Sequence, residues 1–201
     1  MARRGLFDHL AGGFHRYCVD DDWTIPHFEK MLYDQGLLLR IYAELMRRGG
    51  DPGELAWPLR ETVEYLRREM TSPEGGFYAS QDADAGGHEG VFHVWTPEQI
   101  ESVLGDRAEA FCRAYGVNER GNFENGTTQL VDLARGPRQD FTGERAALLE
   151  VRGHRVAPET DRKRVAAWNG YTISGLARTA EVLEDPSILA CLLYTSDAAD
   201  E

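Results

Sequence analysis

Apolar residues along the chain change their spacing several times, and each change marks an element. Phe28, Met31, Leu32, Leu38, Leu39, Tyr42, Leu45 and Met46 recur at three- and four-residue steps. That period predicts a helix with one apolar face, opening at Pro26 and stopped by Gly49-Gly50. A second helix is predicted from about Pro52, with Asp51 as N-cap and Leu55, Leu59, Val63, Leu66 and Met70 on its buried side. Pro58 falls inside its opening turns and is expected to bend them. The period then drops to two. Phe77-Tyr78-Ala79 and Val91-Phe92-His93-Val94-Trp95 read as the strands of a small β-hairpin whose long polar tip is Gln81–Gly90.

Beyond the hairpin, Thr96-Pro97-Glu98-Gln99 is a capping-box start for a helix ending near Gly105. A short helix follows over about Asp106–Tyr115. Gly116–Asp140 carries few helix signals and is expected to be loop, with one short strand around Gln129–Val131. Helices return at Thr142–Arg152 and Val165–Leu183. The first 25 residues, rich in Gly, His and aromatic side chains, read as an ordered loop. The pattern is mainly α, with helices arriving in sequential pairs. It contains neither alternating βαβ units nor a glycine-rich phosphate loop, so no cofactor-binding signature is present.

Composition narrows the function classes. The chain has 201 residues, 34 acidic against 22 basic, and a formal charge of −12. This acidity argues against non-specific nucleic-acid binding, which relies on basic patches. No apolar run approaches the roughly 18 residues of a membrane span. The N-terminus MARRGLFDHL lacks the apolar stretch of a secretory signal. Cys18, Cys112 and Cys191 are far apart, without CxxC or zinc spacing, so a disulfide framework, a zinc site and a thioredoxin-type centre are not expected. A reducing, cytoplasmic setting is the expectation. Isolated cysteines of this kind usually serve as small core residues.

Four segments are dense in chemically capable side chains. The first runs from Gly12-Gly13-Phe14-His15-Arg16-Tyr17 through Asp20-Asp21-Asp22-Trp23 to Pro26-His27-Phe28-Glu29-Lys30. There Arg16 and His15 would hold an anionic or hydroxyl group, Tyr17 and Asp20 would line a rim, and Trp23 would stack a ring. The bland reading is a hydrogen-bonded loop capping a helix start. The second, Ser80–Gly90, places Asp82, Asp84 and Glu89 within eight residues without an intervening basic group. Paired carboxylates suit glycosidic acid/base work. Asp-x-Asp also opens a calcium loop, but Gly86 stands at the fifth position and no Glu at the twelfth, so that match fails. A solvated tip is the plain alternative. The third, Gly121-Asn122-Phe123-Glu124, is a turn with one carboxylate, and the fourth runs from Asp161-Arg162-Lys163-Arg164 into Trp168-Asn169-Gly170. Trp168 and Asn169 offer a stacking face beside a two-way amide, and a buried structural Trp fits equally well. No GxSxG surrounds a serine, which sets serine-triad chemistry aside.

The strings GGFHRYCVDDDWTIPHFEKMLYDQ, YASQDADAGGHEGVFHVWT, GNFE and DRKRVAAWNGYTISGLA stand in an order and spacing that resemble the spermatogenesis-associated protein 20 family, over about residues 5–190. The resemblance implies an N-terminal thioredoxin-like domain in cis, outside this chain, followed by a large α/α toroid. That toroid is similar to those of N-acylglucosamine 2-epimerases and six-hairpin glycosidases. On this reading residues 1–190 are the N-terminal half of an (α/α)6 toroid carrying a small β-hairpin. The four segments would converge on its central funnel around a saccharide or other polyhydroxylated molecule. His27 and Glu29, or Asp82 and Asp84, would then act as acid and base. An epimerase would use histidine near neutral pKa and a hydrolase two carboxylates, and both inventories are present. The alternative is a non-catalytic binding or scaffold domain. Residues 191–201 leave the family pattern and read as a non-native, adapter-like tail. Half a toroid would also leave apolar edges uncovered.

Overall fold

A computed structural model describes residues 1–134 and 138–189. The expected non-native tail, with Cys191, lies outside the described residues. Among the described residues the chain is mainly α-helical with three small antiparallel sheets. It divides into two compact units that the backbone visits alternately. The first gathers Met1–Ala11, His15–Glu29 and Ala83–Glu159; the second gathers Gly12–Phe14, Lys30–Asp82 and the chain from Thr160.

The first unit opens with a two-stranded sheet, β1 (Tyr17–Cys18) against β2 (Pro26–His27), in which Tyr17 faces His27. The segment from Pro26 is therefore extended where a helix is expected. Pairing with β1 holds the segment extended against the helical period of the downstream residues, and Pro26's fixed φ is compatible with either state. A hairpin does form in the Asp-rich segment, but at the tip itself. Strand β5 (Asp84–Ala85) pairs with β6 (His88–Glu89). The flanking aromatic runs find other partners: Trp95 bridges Thr128, and Phe77, in the second unit, bridges Thr71. Helix α3 (Pro97–Leu104) carries the expected capping box between Thr96 and Gln99 and ends at Gly105. Helix α4 (Ala108–Tyr115) follows after one tight turn, and α5 (Thr142–Arg152) has the expected bounds. Trp95, Ile100, Phe111, Tyr115, Leu130 and Leu148 form this unit's main core. No strand forms at Gln129–Val131. Gln129 is held by a side chain, while the Val131 and Leu133 N–H groups donate to the last carbonyls of α4, on Tyr115 and Ala114.

The second unit joins β3 (Lys30–Met31), β4 (Ser80–Gln81) and β7 (Thr160–Asp161) in one sheet, with β4 central. Helix α1 (Leu32–Arg47) starts six residues later than its apolar period predicts. Helix α2 (Pro52–Tyr65) has the expected cap, with Asp51 Oδ1 accepting from Gly53 N–H at 2.8 Å, and it accommodates Pro58. A widened π turn, Leu66–Met70, ends it. Helix α6 (Ala166–Leu183) follows Val165, as expected. Its main neighbour is α1, some 130 residues earlier, rather than a sequential partner. Glycines permit this approach. A Cβ on Gly175 would stand 2.4 Å from the Gly36 carbonyl oxygen, and one on Gly36 would stand 2.6 Å from Thr172 N. Leu45, expected inside, is 49% exposed. With Leu37 and Ile41 it forms an outward apolar stripe at four-residue steps.

Two-residue strands leave much backbone to be satisfied elsewhere, and amide side chains do part of that work. Gln35 accepts from Phe14 N–H at 2.8 Å and donates to Phe14 C=O at 2.7 Å. Asn169 does the same to Phe77 at 2.7 and 3.1 Å, and Asn122 to Gln129 at 2.8 and 2.9 Å. Each amide imitates the paired edge of a strand. Replacing Asn169 by Leu leaves Phe77 N–H and C=O unsatisfied. We expect it to cost about 2–3 kcal/mol in urea unfolding, mostly from the buried orphan groups.

His9, in the first unit, is fully enclosed. Its Nε2 lies 3.1 Å from Arg4 C=O and its Nδ1 3.0 Å from Arg138 Nη1, so Nδ1 accepts and Nε2–H donates. Burial, reinforced by the Arg138 charge, pushes its pKa well below the usual 6.5. The unfolded chain therefore takes up this proton first as pH falls. The stability that neutral His9 contributes is intact above pH 6.5 and is lost progressively below it. Between pH 6.5 and the carboxylate range, unfolding free energy should drop by up to about 1.4 kcal/mol per pH unit. His9→Gln should flatten that slope in parallel melts.

Candidate functional site

The sequence-predicted residues separate between the units. His15, Arg16, Tyr17, Asp20, Trp23, His27, Glu29, Asp84 and Glu89 belong to the first; Asp82, Trp168 and Asn169 belong to the second.

Within the first unit, the β1–β2 sheet and the β5–β6 hairpin bring His27 between two carboxylates. His27 Nδ1 lies 2.7 Å from Glu89 Oε1, and Nε2 lies 3.7 Å from Glu29 Oε2. Glu29 is held in turn by Arg16 Nη1 at 2.8 Å, and the Tyr17 ring lies over His27 at 5.1 Å. Glu89 Oε1 also accepts from Phe28 N–H at 3.1 Å, which ties the hairpin tip to β2. Gly90 makes that closeness possible: its φ is +76°, and a Cβ there would strike the Phe28 ring at 2.6 Å. The imidazole is thus oriented through Nδ1, with Nε2 beyond hydrogen-bond reach of Glu29, and its side chain keeps 27% exposure.

The partner of His27, Glu89, and its chain neighbour Pro26 also line a cleft of about 540 Å³, and His27 itself lies outside that lining. Val19, Ile25, Pro26 and Phe123 give it an apolar side, and Glu89, Glu124 and Asn125 supply polar groups. Phe123 sets its ring edge-on to Phe28 at 5.4 Å. The turn Gly121-Asn122-Phe123-Glu124 therefore divides its labour: Asn122 braces backbone, while Phe123 and Glu124 face the cleft. Arg155 pins the wall at Val91–Val94. Its Nη1 donates to the carbonyls of Phe92 and Val94 at 2.9 and 2.8 Å, and its guanidinium lies 3.9 Å from the Trp95 ring centroid. Burial lowers its pKa to about 10.

Other predicted residues have structural duties. His15 is buried, with Nδ1 2.9 Å from Phe28 C=O and its ring edge-on to His93 at 4.8 Å. Asp20 accepts from Thr24 and Ile25 N–H, at 3.0 and 2.7 Å, closing the β1–β2 connection. Trp23 sits in that connection at φ +60°, a strained value for a non-glycine residue, with 47% exposure. Asp84 lies opposite Glu89 in the hairpin. In the second unit Asp82 is exposed, Trp168 packs edge-on to Tyr33 at 4.9 Å, and Asn169 spends its amide on Phe77 and Val165. Cys18 and Cys112 are reduced and half-buried; burial raises the Cys18 thiol to about 11 and shifts Cys112 upward. Among the described residues no three His, Cys, Asp or Glu side chains gather as metal ligands.

A buried charge pair escaped the sequence reading. Arg152 meets Asp8 bidentately at 2.9 and 2.9 Å, with side chains only 2% and 3% exposed. Asp8 also caps Leu10 and Ala11 N–H, His93 Nδ1 stands 3.5 Å from its Oδ2, and the guanidinium lies over Phe92. Asp8 and Arg152 are 144 positions apart, and no local pattern couples them. Arg152→Met strands a buried carboxylate and should cost about 3–5 kcal/mol in equilibrium unfolding. The double variant with Asp8→Leu should recover part of that loss.

The architecture defines a mainly α-helical protein whose first unit carries a cleft of small-molecule size. No family model matches the chain. Human Spermatogenesis-associated protein 20 is 29% identical over 231 residues, covering 91% of this chain and 28% of the human protein. The rat protein of that name is 31% identical over 224 residues and the mouse protein 32% over 228, covering 91% and 94% of this chain. The chain belongs to the spermatogenesis-associated protein 20 family, as its motifs indicate. It spans less than a third of the length of these relatives. No helix among the described residues is long and apolar enough to cross a membrane.

Proposed function

We propose that the cleft of the first unit binds a saccharide or similar polyhydroxylated molecule, and that His27 performs acid/base chemistry on it. The observation that carries this reading is the carboxylate–imidazole–carboxylate arrangement beside the cleft, with Glu89 at 2.7 Å and Glu29 at 3.7 Å from the two ring nitrogens. Glu89 fixes the proton on Nδ1 and leaves Nε2 as the accepting nitrogen. Glu29 steadies the imidazolium once a proton arrives. An epimerase-like or isomerase-like step follows: Nε2 takes the proton from a carbon next to the sugar carbonyl, and the proton is returned to that carbon or its neighbour. A glycosidase needs two carboxylates at a set separation. Glu89 already engages His27, which favours proton transfer over hydrolysis.

The wider assignment is also a proposal. Helices α1, α2 and α6 would be hairpin elements of an α/α toroid, with residues 1–190 as its N-terminal half. The rest of the longer family chains would complete the ring and supply a thioredoxin-like domain. Reduced thiols such as Cys18 and Cys112 suit a cytoplasmic setting. A non-catalytic binding or scaffold role is the second reading, favoured by the backbone duties of Asp20 and Asn169.

The test is a thermal-shift and turnover screen of mono- and disaccharides on the wild type and on His27→Gln. Binding in both proteins with turnover only in the wild type is the expected result. Binding and turnover unchanged by His27→Gln would overturn its acid/base role. Absence of any shift across the panel would overturn the saccharide site.

A further inference from the structure

Two carboxylates, Glu89 and Glu124, line the cleft, and among the described residues only Glu89 has a basic neighbour within the protein, the His27 imidazole. Most surface carboxylates with a near neighbour are matched by arginine, as in Arg16–Glu29, Arg107–Glu144 and Arg178–Glu181. Glu124 differs: its backbone carbonyl accepts from Thr127, while its side chain faces the cleft without a basic partner among the described residues. Glu89 spends Oε1 on both His27 and Phe28 N–H, which leaves Oε2 for a ligand. No lysine or arginine lines the cleft among the described residues, and the basic group in its lining is the exposed imidazole of His88. The Arg155 guanidinium, bonded to the wall carbonyls of Val91 and Val94, is turned onto three carbonyl oxygens and the Trp95 ring. Arg16, the group suited by sequence to an anionic ligand, is committed to Glu29.

We propose that the ligand is cationic: a polyol bearing a protonated amine, with the ammonium group between Glu124 and Glu89 and the carbon skeleton against Phe123 and Ile25. The inference rests on the reading of the cleft as a polyol site and adds the charge class of its occupant. A carboxylate or phosphate on the ligand would meet like charge without a lysine or arginine to offset its desolvation. An ammonium would instead gain charge-assisted hydrogen bonds on two sides. Asn125 and Gln99, also in the lining, are placed to serve hydroxyl groups.

The experiment is a set of calorimetric or ligand-observed NMR titrations at pH near neutral and low salt, using glucosamine, glucose and glucose 6-phosphate. Glucosamine should bind about fivefold to tenfold more tightly than glucose, the size of one partly exposed ion pair, and glucose 6-phosphate more weakly than either. The preference for the amine, read as the ratio of glucosamine to glucose affinity, should shrink with added salt and shrink again in Glu124→Gln. Among the described residues the Glu124 side chain makes no internal bond that the variant would break, and an unaltered melting curve verifies its fold. Equal binding of glucosamine and glucose, or tighter binding of the phosphate, overturns the charge assignment and leaves the polyol site standing. Failure of all three to bind overturns both.

Discussion

Every strand among the described residues is two residues long, and most of the backbone between helices belongs to no ladder. Buried N–H and C=O groups must still be paired, because an orphan costs about as much as a hydrogen bond contributes. Side chains take over that duty. Gln35, Asn122 and Asn169 each bond both the N–H and the C=O of one other residue, and Asp20 and Asp8 close turns with their carboxylates. Remove these clamps and the two-residue strands have little to hold them. Their positions, more than the strands, determine where the loops lie.

This constraint explains why four segments looked equally rich in chemistry. Polar side chains recruited to satisfy loop backbone cluster as catalytic ones do, and composition does not distinguish them. Asn169 was an attractive amide for a ligand, yet its bonds run to Phe77 and Val165. His15 suits a ligand's anionic or hydroxyl group by its place in the sequence, yet it is buried against Phe28 and His93. Once those duties are subtracted, His27, Glu89, Glu29 and Glu124 stand out in the first unit, beside a cleft. Behind them the Asp8–Arg152 pair, dry and bidentate, anchors the N-terminal loop to α5. A displaced N-terminal loop would loosen everything packed on it, which gives this distant pair its bearing on the site.

The helices were legible because their signals are local. The capping box at Thr96, the Asp51 cap and the apolar period of Val165–Leu183 each lie within one or two turns, and α2 through α6 stand within a few residues of their predicted bounds. The start of α1 was not legible: β1 and β4 capture Pro26–His27 and Lys30–Met31 from opposite directions in the sequence. The hairpin was expected, but its register was not. Period-two aromatics suit any partner, and the Asp84–Glu89 tip closes on glycines that allow positive φ.

The family, the mainly α character and most helix bounds follow from the sequence itself, since each rests on contiguous motifs or nearest-neighbour energetics. Only the tertiary structure decided which polar residues are free to meet a ligand. That depends on whether a side chain's hydrogen-bonding capacity is already taken by backbone far away in the chain. Asn122–Gln129 is local, but Asn169–Phe77 and Arg152–Asp8 are not, and no spacing rule connects residues separated by 92 and 144 positions. The charge of the cleft has the same origin: Arg16 and Glu124 are both present in the sequence, and folding pairs the first and leaves the second open.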